Sequence, residues 1–576
     1  MKKFRLIALT LVIVMVLSAS SAFACTGVYV GKDVSAEGTT VIARSEDQGS
    51  GAYNKLFLVQ PRVTKAGRYY VDEGVDQNGF KVPLPKTTYK YTYMPDSSDL
   101  EDGQYPASCT NEYGVAVVGT VSASPSEAYN ALDPFNETGT GLREAILPGL
   151  IACQVKTARE AVETLGELVD TYGSEEGNIL FFSDPKEAWI FEIYGGSSYA
   201  AMKMPADKVS VFGNHFMIDV VDQNDTENFF FSDNLFDLVD KVGAVKEDGK
   251  YNLLKSISDP VRDEYSNMRN WIGMKVLAPS LIGDADYSDN ELYPLFYSPD
   301  DEVSILEVMD IYRNRYEGTK YDMMLEENEA RRPIGVTRQS VVHAIQTYAD
   351  MPKDSCQLQW LSMGNAEHNV FVPAFSGITD TFEAYKVDKN VFTEKSFYFA
   401  MKRITGIAEM DRAFLGQGVK DFWNLEEEMM LAQMEDEMDN IKAAYAKSKT
   451  AGRKYVTNLG KKVAKLQYTN SENLFNNLLF TAINNVNDRA NNARKKTFVA
   501  DTRMTKAAEF KGYEVTRNKK TKTYTLKDED TTIKIKMGEK AYTVKENGKT
   551  TTLEMTKAPY TYGGYLYVPM TFIDTL

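Results

Sequence analysis

Cys25 stands directly after a segment with the layout of a secretory signal. Residues 1–24 have a basic start, an apolar run over residues 6–17 and the closing tripeptide Ala22-Phe23-Ala24, which fits a cleavage site. An apolar run of about a dozen residues is too short to span a bilayer, which takes roughly 20. We therefore expect cleavage after Ala24 and a mature chain that begins at Cys25.

A cysteine at the amino terminus can supply both parts of nucleophilic catalysis. The thiol must lose its proton to attack a carbonyl, and the free α-amine of the same residue, with a pKa near 8, can accept that proton. An amide nitrogen cannot, so activity would wait for cleavage. A cation beside the sulfur would favour the thiolate further. The position of Cys25 therefore predicts a self-activating nucleophile.

Other interpretations of Cys25 stay open. Bacterial lipoproteins carry a lipid on a cysteine in this place, but they favour leucine three residues earlier, where this chain has Ala22. A structural or disulfide-bonded cysteine would stand at the first mature position only by coincidence. A catalytic pair with His215 would not require a terminal cysteine at all.

Several ordered motifs resemble the cysteine Ntn-hydrolases of the dipeptidase A type, which are relatives of choloylglycine hydrolases and penicillin V acylases. The segment Cys25-Thr26-Gly27 is followed after 19 and 22 residues by Arg44 and Asp47. The further matches are Asn111-Glu112-Tyr113-Gly114-Val115, Phe212-Gly213-Asn214-His215-Phe216, the segment from Trp271 to Ser280, Arg332-Pro333-Ile334-Gly335 and Val370-Phe371-Val372-Pro373. The resemblance covers roughly residues 25–385.

The resemblance implies a role for each of four residues. Cys25 would be nucleophile through its sulfur and base through its amine. Arg44 would lie beside the sulfur, favour the thiolate and contact substrate, and Asp47 would accept a hydrogen bond from the α-amine. Asn214 would donate its amide to the oxyanion. Choloylglycine hydrolases have a further asparagine where this chain reads Gly119-Thr120-Val121-Ser122, so the second oxyanion donor stays open.

Strand-like and helical segments alternate as far as about Thr381, which predicts layered α/β structure. Strands are predicted at residues 39–43, 114–118, 179–182 and 188–193, and a helix at Thr157–Val169 with Thr157 as its N-cap. The resemblance implies the αββα sandwich of the Ntn-hydrolases. We expect a signal at 1–24, a peptidase domain at 25–394, a helical segment at 395–505 and a small β module at 506–576.

The two C-terminal segments have distinct patterns. Apolar residues recur at helical spacing between Asp421 and Tyr445, and a second helix is predicted from about Ser471 to Lys496. Alternating residues and the turn signals Asn547-Gly548 and Gly563-Gly564 then predict hairpins. This tail resembles the copper amine oxidase N-terminal-like module of secreted bacterial proteins. It carries no evident copper ligands, so it is interpreted as an attachment or spacer module.

The composition argues against several classes of binding partner and cofactor. Signal removal takes the net charge from -16 to -19, which argues against nucleic acid or an anionic membrane. Four cysteines and three scattered histidines give no metal-ligand spacing, so neither a metal nor a cofactor is expected. We expect an extracellular or wall-associated protein without membrane insertion after signal removal. Cell-wall contact through the tail, homo-oligomerisation and the pairing of Cys109, Cys153 and Cys356 stay open.

The leading hypothesis is a secreted cysteine dipeptidase that hydrolyses dipeptides or short peptides. One alternative is an amidase of N-acyl amino acids, bile conjugates or cell-wall fragments, since related folds cut other amides. The other is a surface or wall-binding protein without enzymatic activity.

Overall fold

The computed structural model describes residues 25–49, 51–259, 263–328, 330–490 and 494–576. The predicted signal, residues 1–24, lies outside them. Residue contacts divide the chain into two units, the first of residues 1–367, 373–398 and 441–461, and the second of 368–372, 399–440 and 462–576. The domain boundaries expected at 394 and 505 stay predictions. Among the described helices, none has the length and apolar character to cross a bilayer.

Runs of β-branched and aromatic residues form most strands before residue 376. In chain order the strands are β1 (Thr26–Val30), β2 (Thr40–Asp47), β3 (Leu58–Gln60), β4 (Val63–Thr64), β5 (Tyr69–Val71), β6 (Lys81–Pro83), β7 (Thr87–Thr88), β8 (Tyr91–Tyr93), β9 (Ser108–Asn111), β10 (Ala116–Ser122), β11 (Asn178–Ser183), β12 (Ala188–Ile193), β13 (Tyr199–Lys203), β14 (Val209–Phe212), β15 (Val220–Val221), β16 (Phe229–Phe231), β17 (Lys246–Glu247), β18 (Lys250–Asn252), β19 (Gln339–Thr347), β20 (Gln357–Met363) and β21 (Val372–Phe375).

The helices lie between and after these strands. In chain order they are α1 (Glu127–Asn130), α2 (Leu147–Ala152), α3 (Ala158–Tyr172), α4 (Leu235–Val242), α5 (Leu253–Ile257), α6 (Glu264–Leu277), α7 (Pro279–Ile282), α8 (Ile305–Ile311), α9 (Phe397–Met410), α10 (Arg412–Lys447), α11 (Lys449–Ala490), α12 (Met504–Phe510) and α13 (Met570–Ile573). As predicted, Thr157 caps α3 by accepting the backbone N–H of Glu160 at 3.0 Å.

Two sheets stack face to face in the first unit. One has the strand order β14-β1-β2-β19-β20-β21, and the other has the order β16-β13-β12-β11-β10-β9-β8-β3. Strand β2 packs against β10 and β11 across the interface. Helices α6 and α8 cover the outer face of the first sheet, and α2 and α3 cover that of the second. The predicted αββα sandwich is therefore confirmed.

The core between the sheets reaches the head of β1. Cys25 belongs to the same buried cluster as Ile42, Phe181, Phe212 and Ile345. Strands with both faces covered have apolar residues on each side, which explains why β1 and β11 are buried along their whole length. The residue proposed as nucleophile is thus fixed by the central packing.

In the second unit, helical and β structure are joined by buried polar contacts. The strands are β22 (Asp501–Arg503), β23 (Glu514–Asn518), β24 (Thr523–Lys527), β25 (Thr531–Lys536), β26 (Ala541–Glu546), β27 (Lys549–Glu554), β28 (Tyr560–Tyr562) and β29 (Tyr565–Pro569). Glu426 of α10 is fully buried and accepts from Arg503 of β22 at 2.6 Å and from Gln467 of α11 at 3.0 Å.

Both predicted C-terminal patterns are present, with one shifted boundary. Asn547 and Gly548 have φ angles of 48° and 78° in the turn between β26 and β27, as the hairpin prediction requires. The helix predicted to start near Ser471 begins instead at Lys449, as α11. Its first turns carry many lysines and two glycines, which hide the helical period from sequence analysis.

Gly27 lets the two sheets approach beside the nucleophile, and its replacement tests that packing. A Cβ atom on Gly27 would lie 2.7 Å from Phe212 Cζ and 3.0 Å from Phe181 Cζ. We expect Gly27→Ala to destabilise the protein by about 1–3 kcal/mol and to lower activity, because β1 must shift. Thermal unfolding and turnover measure this.

Gly406→Ala in α9 is the control, since a Cβ there meets nothing within 4 Å. Alanine at a helix interior is expected to stabilise by about 0.5–1 kcal/mol. Wild-type stability and activity in Gly27→Ala would contradict this account of the packing.

Candidate active site

Strand register places Cys25 between two neighbouring strands. Gly27 pairs with Phe212 of β14 on one side and with Arg44 of β2 on the other. Two residues further toward the strand head, the same register sets Cys25 opposite Asn214 and Glu46. Side chains alternate along a strand, so Arg44 and Glu46 share the face of Cys25 that looks toward the second sheet.

Arg44 contacts the sulfur of Cys25 directly. Its Nη2 lies 3.0 Å from Cys25 Sγ, and its Nη1 lies 3.2 Å from Glu46 Oε2. Glu46 is held in turn by Lys55 Nζ at 2.6 Å and by Ser340 Oγ at 2.9 Å. The side chains of Arg44, Glu46 and Lys55 are fully buried. The guanidinium is therefore fixed at the sulfur by a buried ionic chain.

Burial keeps the thiol protonated in the chain that still carries residue 24. Desolvation raises the pKa of Cys25 to about 11, and the charge of Arg44 opposes the rise. The anionic neighbours Asp47, Glu144 and Glu46 raise the pKa further. At neutral pH Cys25 is consequently a thiol, and a proton acceptor is required before it can attack.

Arg269 of α6 holds the other face of the same residue. Its Nη1 donates to the carbonyl oxygen of Cys25 and, at 3.0 Å, to Thr26 Oγ1. Its Nη2 donates to Asn214 Oδ1 at 2.8 Å. Because a guanidinium only donates, this contact fixes which end of the Asn214 amide is oxygen. The amide nitrogen of Asn214 donates to the Ser122 carbonyl at 2.9 Å, which leaves one N–H for another acceptor.

Asp47 is buried and only partly hydrogen-bonded. It pairs with Arg332, and its Oδ1 has no hydrogen-bond partner among the described residues. Burial raises the pKa of Asp47, while Arg332 and Arg269 act against the rise. Its charge also acts on Cys25. The hydrogen bond predicted between Asp47 and the Cys25 amine stays a prediction.

Two histidines lie on segments that adjoin the site, His215 next to Asn214 and His343 on β19 beside Arg44. The Nδ1 of His215 lies 3.4 Å from the Phe216 carbonyl oxygen. His343 pairs with Arg44 across β19 and β2, and burial, Arg44 and Lys55 lower its pKa well below the usual value. His343 is therefore neutral, and the alternative pair of Cys25 with His215 stays a prediction.

The structure brings three of the four predicted residues into one hydrogen-bonded group. Arg44 touches Cys25, and Arg269 bridges Cys25 and Asn214. The roles assigned to these residues and to Asp47 stay predictions. Sequence reasoning missed Arg269, although a cation in the buried stretch just before Trp271 was a signal for it. Arg332 was included in a motif from the sequence but was assigned no role. Glu144 lies in none of the motifs.

The effect of Arg44 on the sulfur can be measured by titration. In a chain that retains Ala24, we expect Cys25 to titrate near pH 11, and we expect Arg44→Gln to move the midpoint higher, because an opposing positive charge is lost. In that variant Glu46 keeps its ion pair with Lys55, so it is not left without a cationic partner. Iodoacetamide labelling of the Cys25 peptide across pH, followed by mass spectrometry, gives the midpoint.

The midpoint is the readout because a smaller side chain also changes access to the sulfur. Arg62→Gln serves as the control, since the Arg62 side chain is 44% exposed and pairs with Glu112. An unchanged or lower midpoint in Arg44→Gln would refute the electrostatic role.

Comparison with known proteins assigns both parts of the chain. The model of peptidase family C69 matches residues 24–457, and that of the copper amine oxidase N-terminal domain matches residues 492–575. The latter agrees with the resemblance seen in the tail.

Curated relatives match most of the chain. A probable dipeptidase B of Streptococcus pyogenes serotype M1 is 31% identical over 72% of this chain and 86% of its own length. A probable dipeptidase of Latilactobacillus sakei is 31% identical over 67% and 81%. A probable dipeptidase of Salmonella dublin is 29% identical over 66% and 86%.

Among solved structures, a mutant of conjugated bile acid hydrolase from Clostridium perfringens matches 61% of this chain and 92% of that one, at 13% identity and a TM-score of 0.27. A TM-score this low gives no information about the site. The family match over residues 24–457 and the two relatives at 31% identity lead to one conclusion: this chain belongs to peptidase family C69.

Proposed function

We propose that the chain is a cysteine dipeptidase that hydrolyses dipeptides or short peptides through Cys25, once removal of residues 1–24 has freed its α-amine. The observation that carries the proposal is the 3.0 Å contact between Arg44 Nη2 and Cys25 Sγ at the head of β1. Membership of a peptidase family and relatives named probable dipeptidases support the substrate class.

The first step is transfer of the thiol proton to the α-amine of the same residue. Arg44 stabilises the thiolate that forms, and Sγ attacks the scissile carbonyl carbon. The resulting oxyanion accepts the Asn214 N–H that is not bonded to Ser122. When the tetrahedral intermediate collapses, the α-ammonium returns its proton to the departing amine and a thioester remains on Cys25.

Water then releases the acyl group. The α-amine takes a proton from the water, the hydroxide attacks the thioester carbonyl, and the sulfur leaves as a thiolate that is reprotonated. Each turn consumes one water and regenerates the thiol and the free amine. No external base is needed in this scheme, and the neutral His343 is not called on to act as one.

The partly bonded Asp47 supports a role in holding the amine. A buried carboxylate oxygen without a partner is costly, and an ammonium donor would satisfy it. Cleavage after Ala24 would create that donor. Asp47 would then orient the amine without itself taking part in proton transfer.

The proposal also includes where the protein acts, which is outside the cell or at the cell wall. The layout of residues 1–24 supports export, and the C-terminal module supports attachment to the cell wall. The net charge of -19 after cleavage gives no support for nucleic acid as a partner.

A substrate comparison tests the proposal. We expect the mature enzyme to hydrolyse dipeptides in preference to N-acyl amino acids and bile conjugates, with release of the free amino acid as the readout. Cys25→Ser should abolish turnover and leave the melting temperature nearly unchanged, because the oxygen keeps the shape but is a weaker nucleophile. Failure on every dipeptide, with hydrolysis of N-acyl substrates, would make the enzyme an amidase. Turnover that survives Cys25→Ala would remove Cys25 from the reaction.

A further inference from the structure

Glu144 is a buried carboxylate held only by hydroxyl groups. It is 4% exposed. Its Oε1 accepts from the Tyr105 hydroxyl, and its Oε2 accepts from Thr120 Oγ1 at 2.6 Å and from Ser122 Oγ at 2.9 Å. Within the described part of the chain, no lysine or arginine forms an ion pair with it. A buried carboxylate is usually paired with a cation, so this one is unusual.

The position of Glu144 relates it directly to the reacting atoms. Ser122 bonds to Glu144 through its hydroxyl and to the Asn214 amide through its carbonyl oxygen. One residue therefore separates the carboxylate from the proposed oxyanion donor. Thr120 and Ser122 lie in the stretch where choloylglycine hydrolases have an asparagine, so this chain uses that stretch to support an acid instead.

The carboxylate works against the chemistry of the nucleophile. Its charge disfavours the Cys25 thiolate, on top of the larger effect of burial. Arg44, whose charge acts on Glu144, is already bonded to Cys25 and Glu46. An acid that hinders ionisation of the thiol and has no ion pair within the described residues is better explained by a cation that arrives with the substrate.

We propose that Glu144 binds the α-ammonium group of the substrate's amino-terminal residue, an inference that rests on the proposed function. In a dipeptide this nitrogen lies two bonds from the scissile carbonyl carbon, a distance of about 2.5 Å. Its acceptor must therefore lie close to the nucleophile and the oxyanion donor, and Glu144 is linked to Asn214 through Ser122 and acts by its charge on Cys25. Hydroxyls occupy three of about four acceptor positions on the carboxylate, which leaves one on Oε1 for the ammonium.

A cavity of about 230 Å³ shares Tyr105 with the contacts of Glu144, since the Tyr105 hydroxyl donates to Glu144 and Tyr105 lines the cavity together with Ala145 and Ile146. In this proposal the cavity takes the side chain of the first residue. The arrangement selects a free amino end and excludes N-acylated substrates, because an acylated nitrogen carries no charge to satisfy Glu144.

The test compares an alanyl dipeptide with its propionyl analogue, in which hydrogen replaces the ammonium. We expect wild-type kcat/KM to favour the dipeptide by about 100-fold or more, since a site built for a polar group rejects an analogue that lacks it. Glu144→Gln should bring the ratio close to one, because only the dipeptide loses a contact, whereas the effect of the lost charge on Cys25 applies to both substrates. Asp133→Asn is the matched control, because Asp133 is 7% exposed and is held by the backbone N–H and hydroxyl of Ser197.

A wild-type measurement covers the case in which Glu144→Gln does not fold. The preference ratio should fall above about pH 8, where the α-ammonium of a dipeptide loses its proton. The titratable and charged groups that act on Glu144 are Cys25, Arg44, Asp102, Tyr105 and Glu176. Titration that acts through Cys25 affects both substrates alike and cancels in the ratio. Glu176, whose pKa burial and Glu144 raise to about 8, adds negative charge near Glu144 as the pH rises, which favours the ammonium and opposes the expected fall. A fall in the ratio therefore reports the loss of the ammonium charge.

The outcomes separate this inference from the proposed function. If the wild type cleaves the dipeptide with a preference that Glu144→Gln leaves unchanged, or with a ratio that is flat across pH 8, the inference is wrong and the dipeptidase stands. Equal cleavage of both substrates by the wild type overturns the inference and the expected preference over N-acyl amino acids, while hydrolysis of dipeptides through Cys25 stands. If the wild type cleaves neither, the proposed function falls and the inference falls with it.

Discussion

Two buried guanidinium groups hold the head of β1 from opposite faces of the sheet, and the site depends on this arrangement. Arg44 reaches the sulfur of Cys25 from the face between the sheets, and Arg269 reaches its carbonyl oxygen from the helix-covered face. A buried cation needs partners. Glu46 satisfies Arg44, and the carbonyl of Cys25 and the amide of Asn214 satisfy Arg269. The position of Cys25 therefore depends on the ion pairs and hydrogen bonds made on both faces of the sheet.

This balance also gives the uncut chain a latent state. Burial raises the pKa of the Cys25 thiol to about 11, and one guanidinium does not reverse the effect. Arginine was expected from the sequence to favour the thiolate, and its charge acts in that direction. The larger influence of burial could not be anticipated, because it comes from packing by the second sheet. In the proposed mechanism, the α-amine that cleavage would release is the group that takes the proton away, which Arg44 alone cannot do.

Sequence reasoning reached the parts of the fold and site that local patterns encode. Thr157 was correctly predicted to be a helix N-cap, and Asn547-Gly548 correctly predicted a hairpin turn. The spacing of Arg44 and Asp47 from Cys25 follows from two adjacent strands. Arg269 stands 244 residues after Cys25 and meets it only through the fold.

Glu144 is a second contact that no local pattern reveals. Its significance arises from three hydroxyls that converge on it from two segments, one from Tyr105 and two from strand β10. In this account the residues that recognise the substrate are brought together only by the tertiary structure, whereas the proposed nucleophile can be identified from its position in the sequence.

The central claim is that the nitrogen of Cys25 must be a free amine. The most direct measurement compares dipeptide turnover by the chain that begins at Cys25 with turnover by the same chain carrying Ala24, after mass spectrometry has verified both amino termini and the reduced thiol. The account predicts a loss of about 100-fold or more in the extended chain, since a general base typically contributes that much. Equal turnover by the two chains would contradict it.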